Sequence, residues 1–176
     1  MRKVTISILV TNPVALHDRA DTLPSMGASV RILVAEDQEA EVIIYQHAFK
    51  QCGVSNIHYV EDGKEAVDYL KGERQYADRH KHPFPTCLVL DLKMPRMTGF
   101  DVLQWMMEHP NCRVIPTVVM SNSAMPGDIT KAYQLGANAY FTKPTQMREM
   151  VDVIALLHHF WTVAQRPDFP MHHKCD

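Results

Sequence analysis

Cysteine is scarce in this chain. Cys52, Cys87, Cys112 and Cys175 are the only four in 176 residues, and no two of them form a C-x-x-C pair. A disulfide-stapled mini-scaffold is excluded by that count and by the length, and free thiols in a reducing cytoplasm are expected. Charge of one sign is also lacking: 18 Lys and Arg face 20 Asp and Glu, for a formal net charge of −2. No broad attraction to nucleic acid or to an anionic membrane follows from such a balance. No apolar run approaches the roughly 20 residues of a membrane helix. Internal repeats and low-complexity stretches are absent. The one run near the N-terminus, Val4 to Val10, is short and interrupted by Thr5 and Ser7, which argues against an export signal. Two readings of residues 1–29 stay open: an extension, or a start misplaced upstream of Met26.

Hydrophobic residues make up 46% and charged residues 22%, which suits a single globular domain with a real core. Residues 31–37, RILVAED, form an apolar run ending in two acids. Residues 38–52 then space Val42, Ile43, Tyr45, Ala48, Phe49 and Cys52 near the helical period, and Gly53 closes the helix. A short strand follows at 56–60. Asp62, with Glu65 three positions on, opens a helix that ends near Lys71-Gly72. Residues 72–86 are polar and hold Pro83 and Pro85, so they read as a long loop. The run 87–91, CLVLD, is a third strand ending in an acid. A turn and a helix at 100–109 come next, with Val102, Leu103, Met106 and Met107 inward. Strands at 115–120 and 138–142 flank a helix that starts at Pro126 and stops at Gly136. A last helix over about 145–164 carries Met147, Met150, Val151, Ile154, Leu157 and Trp161 on one face.

Five alternations of short apolar strands with amphipathic helices imply a parallel sheet covered on both faces, with right-handed crossovers. The expected fold is α/β: a doubly wound, flavodoxin-like sheet of five strands in the order 2-1-3-4-5. In such sheets function gathers at the carboxyl ends of the strands. Those ends carry Glu36, Asp37, Asp91, Ser121 and Lys143. Three carboxylates at one spot repel, and a bound cation makes that tolerable. A donor set of oxygen atoms, without Cys or His, suits Mg²⁺ rather than zinc. A carboxylate is a competent nucleophile for an aspartyl phosphate. Lys143 is placed to hold one phosphoryl oxygen and Ser121 another.

The stretches VAED, LVLDLKMPRMTGFDVL, VVMSNS and GANAYFTKP together resemble the defining segments of response-regulator receiver domains, over about residues 30–164. The resemblance implies that Asp91 accepts the phosphoryl group in the presence of Mg²⁺. It makes Glu36 (through water), Asp37, Asp91 and the carbonyl of Lys93 the metal ligands. Ser121 and Lys143 bind phosphoryl oxygens, and Tyr140 is the switch aromatic paired with Ser121. Pro144 falls where the family usually has a cis peptide. The donor would be a sensor histidine kinase or phosphotransfer protein, and the output would pass to a downstream protein target. After the last helix, residues 165–176 read as a short tail with no output domain. The loop at 72–86 and the Phe160-Trp161 ending resemble the small stand-alone regulators paired with phytochrome-type kinases.

The bland alternatives are specific too. The ten histidines form no structural zinc pattern; His80 and His82 read as solvated loop, and His172 and His173 as solvated tail. The Met147-to-Trp161 stripe is core, with Phe160-Trp161 as the place for a homodimer or partner contact. The rival to phospho-signalling is a phosphorylation-independent interaction module of the same fold. A dehalogenase-like phosphatase would want a second acid where Lys93 stands. A flavodoxin would want a phosphate cradle where Glu36-Asp37-Gln38-Glu39 stands, and those acids repel phosphate. Two positions depart from the family pattern, Asn122 after the hydroxyl residue and Lys93 after the acceptor, and both bear on phosphate lifetime.

Overall fold

The computed structural model describes residues 30–165, 167 and 172–175. The expectation for residues 1–29 lies outside them. Five strands, β1 (Ile32–Ala35), β2 (Ile57–Val60), β3 (Cys87–Leu90), β4 (Thr117–Ser121) and β5 (Ala139–Thr142), form one sheet. Their order is β2-β1-β3-β4-β5, and every neighbouring pair is parallel. Six helices complete the fold: α1 (Glu39–Gln51), α2 (Gly63–Lys71), α3 (Gly99–Glu108), α4 (Pro110–Arg113), α5 (Pro126–Gln134) and α6 (Met147–Val163). This is the doubly wound architecture that the alternation of strands and helices implied.

The period-2 alternation of the strands divides the core. Leu33, Ala35, Leu88, Leu90 and Val119 face α2, α3, α4 and α5. Ile32, Val34, Cys87, Val89, Val118 and Met120 face α1 and α6, where they pack on Tyr45, Phe49, Ile154 and Trp161. Trp161 is buried in that layer, while its neighbour Phe160 is exposed. Ile43, Met107 and Met147 were expected inward and are exposed instead. In α1 the half-buried Ile44 packs on the core in place of Ile43. A stripe of adjacent apolar residues does not by itself say which of them sits at its centre.

Two local differences have plain causes. β4 begins at Thr117 rather than at 115, because Pro116 has no N–H to give the ladder. Its carbonyl still accepts from Leu88 N. Pro110 cannot continue α3 but suits a first helical turn, so it opens the separate short helix α4. The 72–86 segment is anchored rather than merely solvated. Within it Arg74–Tyr76 form a 3₁₀ turn, and Phe84 and Arg79 are buried. Arg79 donates to the carbonyls of Tyr69, Leu70 and His82, satisfying the last turn of α2.

The cysteine expectation is corrected. Cys112 and Cys175 form a disulfide, whereas Cys52 and Cys87 are free. Sequence spacing could not show this, because only the chain's return past α2 brings Cys175 to α4. There Cys175 is buried and its N–H donates to the Leu70 carbonyl. The tail histidines are not simply solvated either: His173 packs edge-on against Phe84, and His172 meets His80. The cysteines therefore no longer argue for a reducing compartment. Among the described residues no helix is long and apolar enough to cross a membrane.

Closing a loop with a sequence separation of 63 restricts the unfolded chain, by up to about 4 kcal/mol in the chain-entropy view. Reduction, or Cys175→Ser, is expected to lower the urea midpoint and Tm accordingly, with the native circular dichroism kept at 25 °C. Equal midpoints with and without reductant would count against the cross-link.

Candidate functional site

Parallel register brings four strand ends together. Ala35 pairs with Leu90, Leu90 with Val119, and Ser121 with Thr142. The next residue after β1 is Glu36, after β3 Asp91 and after β5 Lys143; Ser121 is itself the last residue of β4. Backbone hydrogen bonds carry the ladder one step further, with Asp91 N donating to Ala35 O and Lys143 N to Ser121 O. Glu36, Asp91, Ser121 and Lys143 are all buried, and Asp37 is exposed.

Glu36, Asp37 and Asp91 offer carboxylate oxygens that all lie within 4.8 Å of one another. Lys143 Nζ stands 2.6 Å from Glu36 Oε2 and 3.5 Å from Asp91 Oδ1. Burial raises the pKa of Glu36, and the Asp91 charge adds to that, against the hydrogen bond and charge of Lys143. For Lys143 burial works in the opposite direction, but the Glu36 hydrogen bond and the two carboxylate charges outweigh it and hold the ammonium protonated. Backbone amides supply further support: Lys93 N donates to Asp91 Oδ2 at 2.9 Å and Gln38 N to Glu36 Oε1 at 3.3 Å.

The Asp91 end of the site is tightly backed. A Cβ on Gly99 would stand 2.1 Å from the Asp91 carbonyl oxygen, so only glycine lets α3 start this close to Asp91. Thr98 and Asp101 form a reciprocal capping box at the same helix start. On the other side, Ser121 Oγ accepts from Ser123 N at 3.3 Å, and Tyr140 OH donates to the Ser123 carbonyl at 2.7 Å. Burial pushes the Tyr140 phenol up, which keeps it a donor at neutral pH. Ser123 thus ties Ser121 and Tyr140 to one loop, and its hydroxyl binds Asp128 of α5. Sequence reasoning missed Ser123 and Asp128. Their five-residue spacing across a helix start carries no signal until the loop is folded.

The expected cis bond at Pro144 is corrected: the described residues contain no cis peptide. The trans form is the intrinsically preferred one, and with it Lys143 already reaches Glu36.

The chain matches the response regulator receiver domain model over residues 32–155. It belongs to that family. Among solved structures the receiver resembles the response regulator RPA3017 in red light signaling of R. palustris. The two are 34% identical with a TM-score of 0.75, covering 80% of this chain and 99% of that one. It also resembles the phosphorylated cyanobacterial phytochrome response regulator RcpA, at 31% identity and a TM-score of 0.73, covering 80% and 100%. Response regulator Rcp1 of Synechocystis is 28% identical over 74% of this chain and 87% of its own. An Mn²⁺-bound form of Rcp1 has the same fold, with a TM-score of 0.70. This chain thus covers nearly all of the length of these relatives.

The donor set fits a hard divalent cation: the clustered atoms are all oxygen, two of the three carboxylates are buried, and Lys143 is the only cation paired with them among the described residues. Glu36, Asp37 and Asp91 would hold the ion, which supplies charge neutralisation on the transferring oxygens.

Removing Lys143 leaves Glu36 and Asp91 without a paired cation among the described residues. Lys143→Met is expected to cost about 3–5 kcal/mol in metal-free urea unfolding. Asp91→Asn relieves repulsion and is expected to hold or raise stability in the same assay. A Lys143→Met midpoint equal to wild type would show that the pair contributes nothing.

Proposed function

We propose that this receiver domain is a phospho-switch that accepts a phosphoryl group on Asp91 in the presence of Mg²⁺. The observation that supports this best is the convergence of an acid triad, an ammonium and a hydroxyl at neighbouring strand ends. The donor is a sensor histidine kinase or phosphotransfer protein, as for the family at large. Asp91 attacks phosphorus; the new bond to its carboxylate oxygen forms as the bond to the donor's imidazole nitrogen breaks, and that nitrogen keeps the electron pair.

Each neighbour has a part. Lys93 N–H orients one Asp91 oxygen and leaves the other toward Lys143. Lys143 then meets the negative charge of the transferring group, giving up part of its pairing with Glu36. The Ser121 hydroxyl hydrogen-bonds a phosphoryl oxygen. Because Ser123 holds both Ser121 and Tyr140, a shift of Ser121 changes the footing of Tyr140. The surface of α5, β5 and α6 is then biased between two arrangements. The exposed Asn122 and Lys93 flank the acceptor and set how long the phosphate lasts.

Signalling output passes through contact with a downstream protein. RPA3017 and RcpA are covered almost end to end by this chain, so a separate output domain is no part of what they share. The protein acts on no separate substrate. It catalyses only its own phosphorylation and dephosphorylation.

Incubation with acetyl phosphate and Mg²⁺ is expected to add one phosphate to the intact mass. The gain should vanish in Asp91→Asn or with excess chelator, and its rate should fall at least tenfold in Lys143→Ala. Wild type that neither binds Mg²⁺ nor gains mass, even with a phosphorylated phosphotransfer protein as donor, would reject the phospho-switch.

A further inference from the structure

The loop from Leu92 to Thr98 follows the acceptor and carries Lys93, whose N–H holds Asp91 Oδ2. Its far side leans on the N-terminus of α2. Gly63 N donates to the Met97 carbonyl at 3.2 Å, and a Cβ on Gly63 would stand 2.4 Å from that same oxygen. The two backbones are therefore in direct contact. Asp62, fully buried, caps α2 by accepting from Glu65 N through Oδ1. Its other oxygen, Oδ2, faces the guanidinium of Arg96, the only cation paired with Asp62 among the described residues. The same guanidinium lies 3.8 Å from Glu65 Oε1.

Arg96 has a backbone φ of +60°. A side chain with a Cβ is disfavoured there, and such a conformation persists only where surrounding contacts hold it. Glycine would fit that turn more readily. An arginine at 59% exposure would ordinarily form a solvated pair worth little. Here the partner is a carboxylate with no exposure at all, so losing the arginine strands a buried charge. Three features thus converge on one residue: a left-handed backbone, a buried counter-charge, and a loop whose next residues touch α2.

We propose that Arg96 is a positioning residue for phosphoryl acceptance. It clamps the loop after Asp91 onto the capped start of α2, and so fixes the Lys93 backbone that orients the acceptor. This rests on the phospho-switch reading above. The groups that support a metal site from one layer out commonly carry 10- to 100-fold of its affinity. Loosening the Lys93 backbone should act in that range, because its carbonyl is the remaining expected ligand.

The test compares wild type with Arg96→Ala, Arg96→Lys, Asp62→Asn and the Arg96→Ala/Asp62→Asn double variant. Amide hydrogen exchange of metal-free protein is read at Lys93 and Met97. Mg²⁺ affinity is read by calorimetry, and the rate of labelling by acetyl phosphate is read at saturating Mg²⁺. Arg96→Ala is expected to speed exchange at both amides, weaken Mg²⁺ binding about tenfold or more, and slow labelling. Arg96→Lys should recover much of each loss. The double variant should be no worse than Arg96→Ala, since both changes break one pair. Should Arg96→Ala fail to fold, Arg96→Lys and Asp62→Asn carry the comparison. A competent wild type beside an Arg96→Ala that exchanges, binds and labels like it overturns the inference alone. So does faster exchange with unchanged Mg²⁺ affinity and labelling, which leaves Arg96 a purely structural tie. A wild type that takes neither Mg²⁺ nor phosphate overturns the phospho-switch, and this inference with it.

Discussion

Lys143 and Glu36 are 107 residues apart in sequence and 2.6 Å apart in space. Their contact is what the site depends on. Burying carboxylates without a counter-charge is among the more expensive things a fold can do. Glu36 and Asp91 are both buried, and Lys143 is the one positive charge paired with them among the described residues. One ammonium does not balance three acids. The remaining negative potential suits the strand ends to a divalent cation.

That arrangement needs a parallel sheet. Parallel strands bring successive carboxyl ends to one edge, and they need crossover connections, which in this chain contain helices. The helices in turn demand two apolar sheet faces, which is why β1 and β3 are buried on both sides. Edge strands β2 and β5 are less deeply covered, and β5 carries the half-buried Tyr140. A residue at that depth can move without tearing the core. Its hydrogen bond to Ser123 links it to Ser121 through a loop rather than through packed side chains. Structures with TM-scores of 0.75 and 0.73 share the fold at only about a third identity.

Support for Asp91 and the loop after it comes from two helix starts. α3 begins against Asp91 because Gly99 has no side chain to keep them apart. α2 begins against the following loop because Asp62 turns one oxygen inward to cap the helix and the other toward Arg96. The far end of the molecule is held differently. There a disulfide, a buried arginine and ring contacts fasten the tail and the 72–86 segment over the α2 and α4 side. The chain thus separates a covalently tied end from a charged one.

Much of this was legible in the chain itself. Short apolar runs located all five strands, and helical spacing with cap and stop signals located the five long helices. The acids, hydroxyl and lysine at the strand ends marked the site, because apolar strands ending in charge leave that charge only one place to go. Local signals failed where the deciding partner is remote or the spacing is silent. The Cys112–Cys175 bridge, the Arg96–Asp62 pair and the burial of Arg79 join residues from different segments. The outward turn of Ile43 was settled by how α1 packs, with Ile44 against the core instead. Periodicity is written residue by residue and can be read there; the closing of a distant pair depends on where whole elements pack, and only the folded chain decides it.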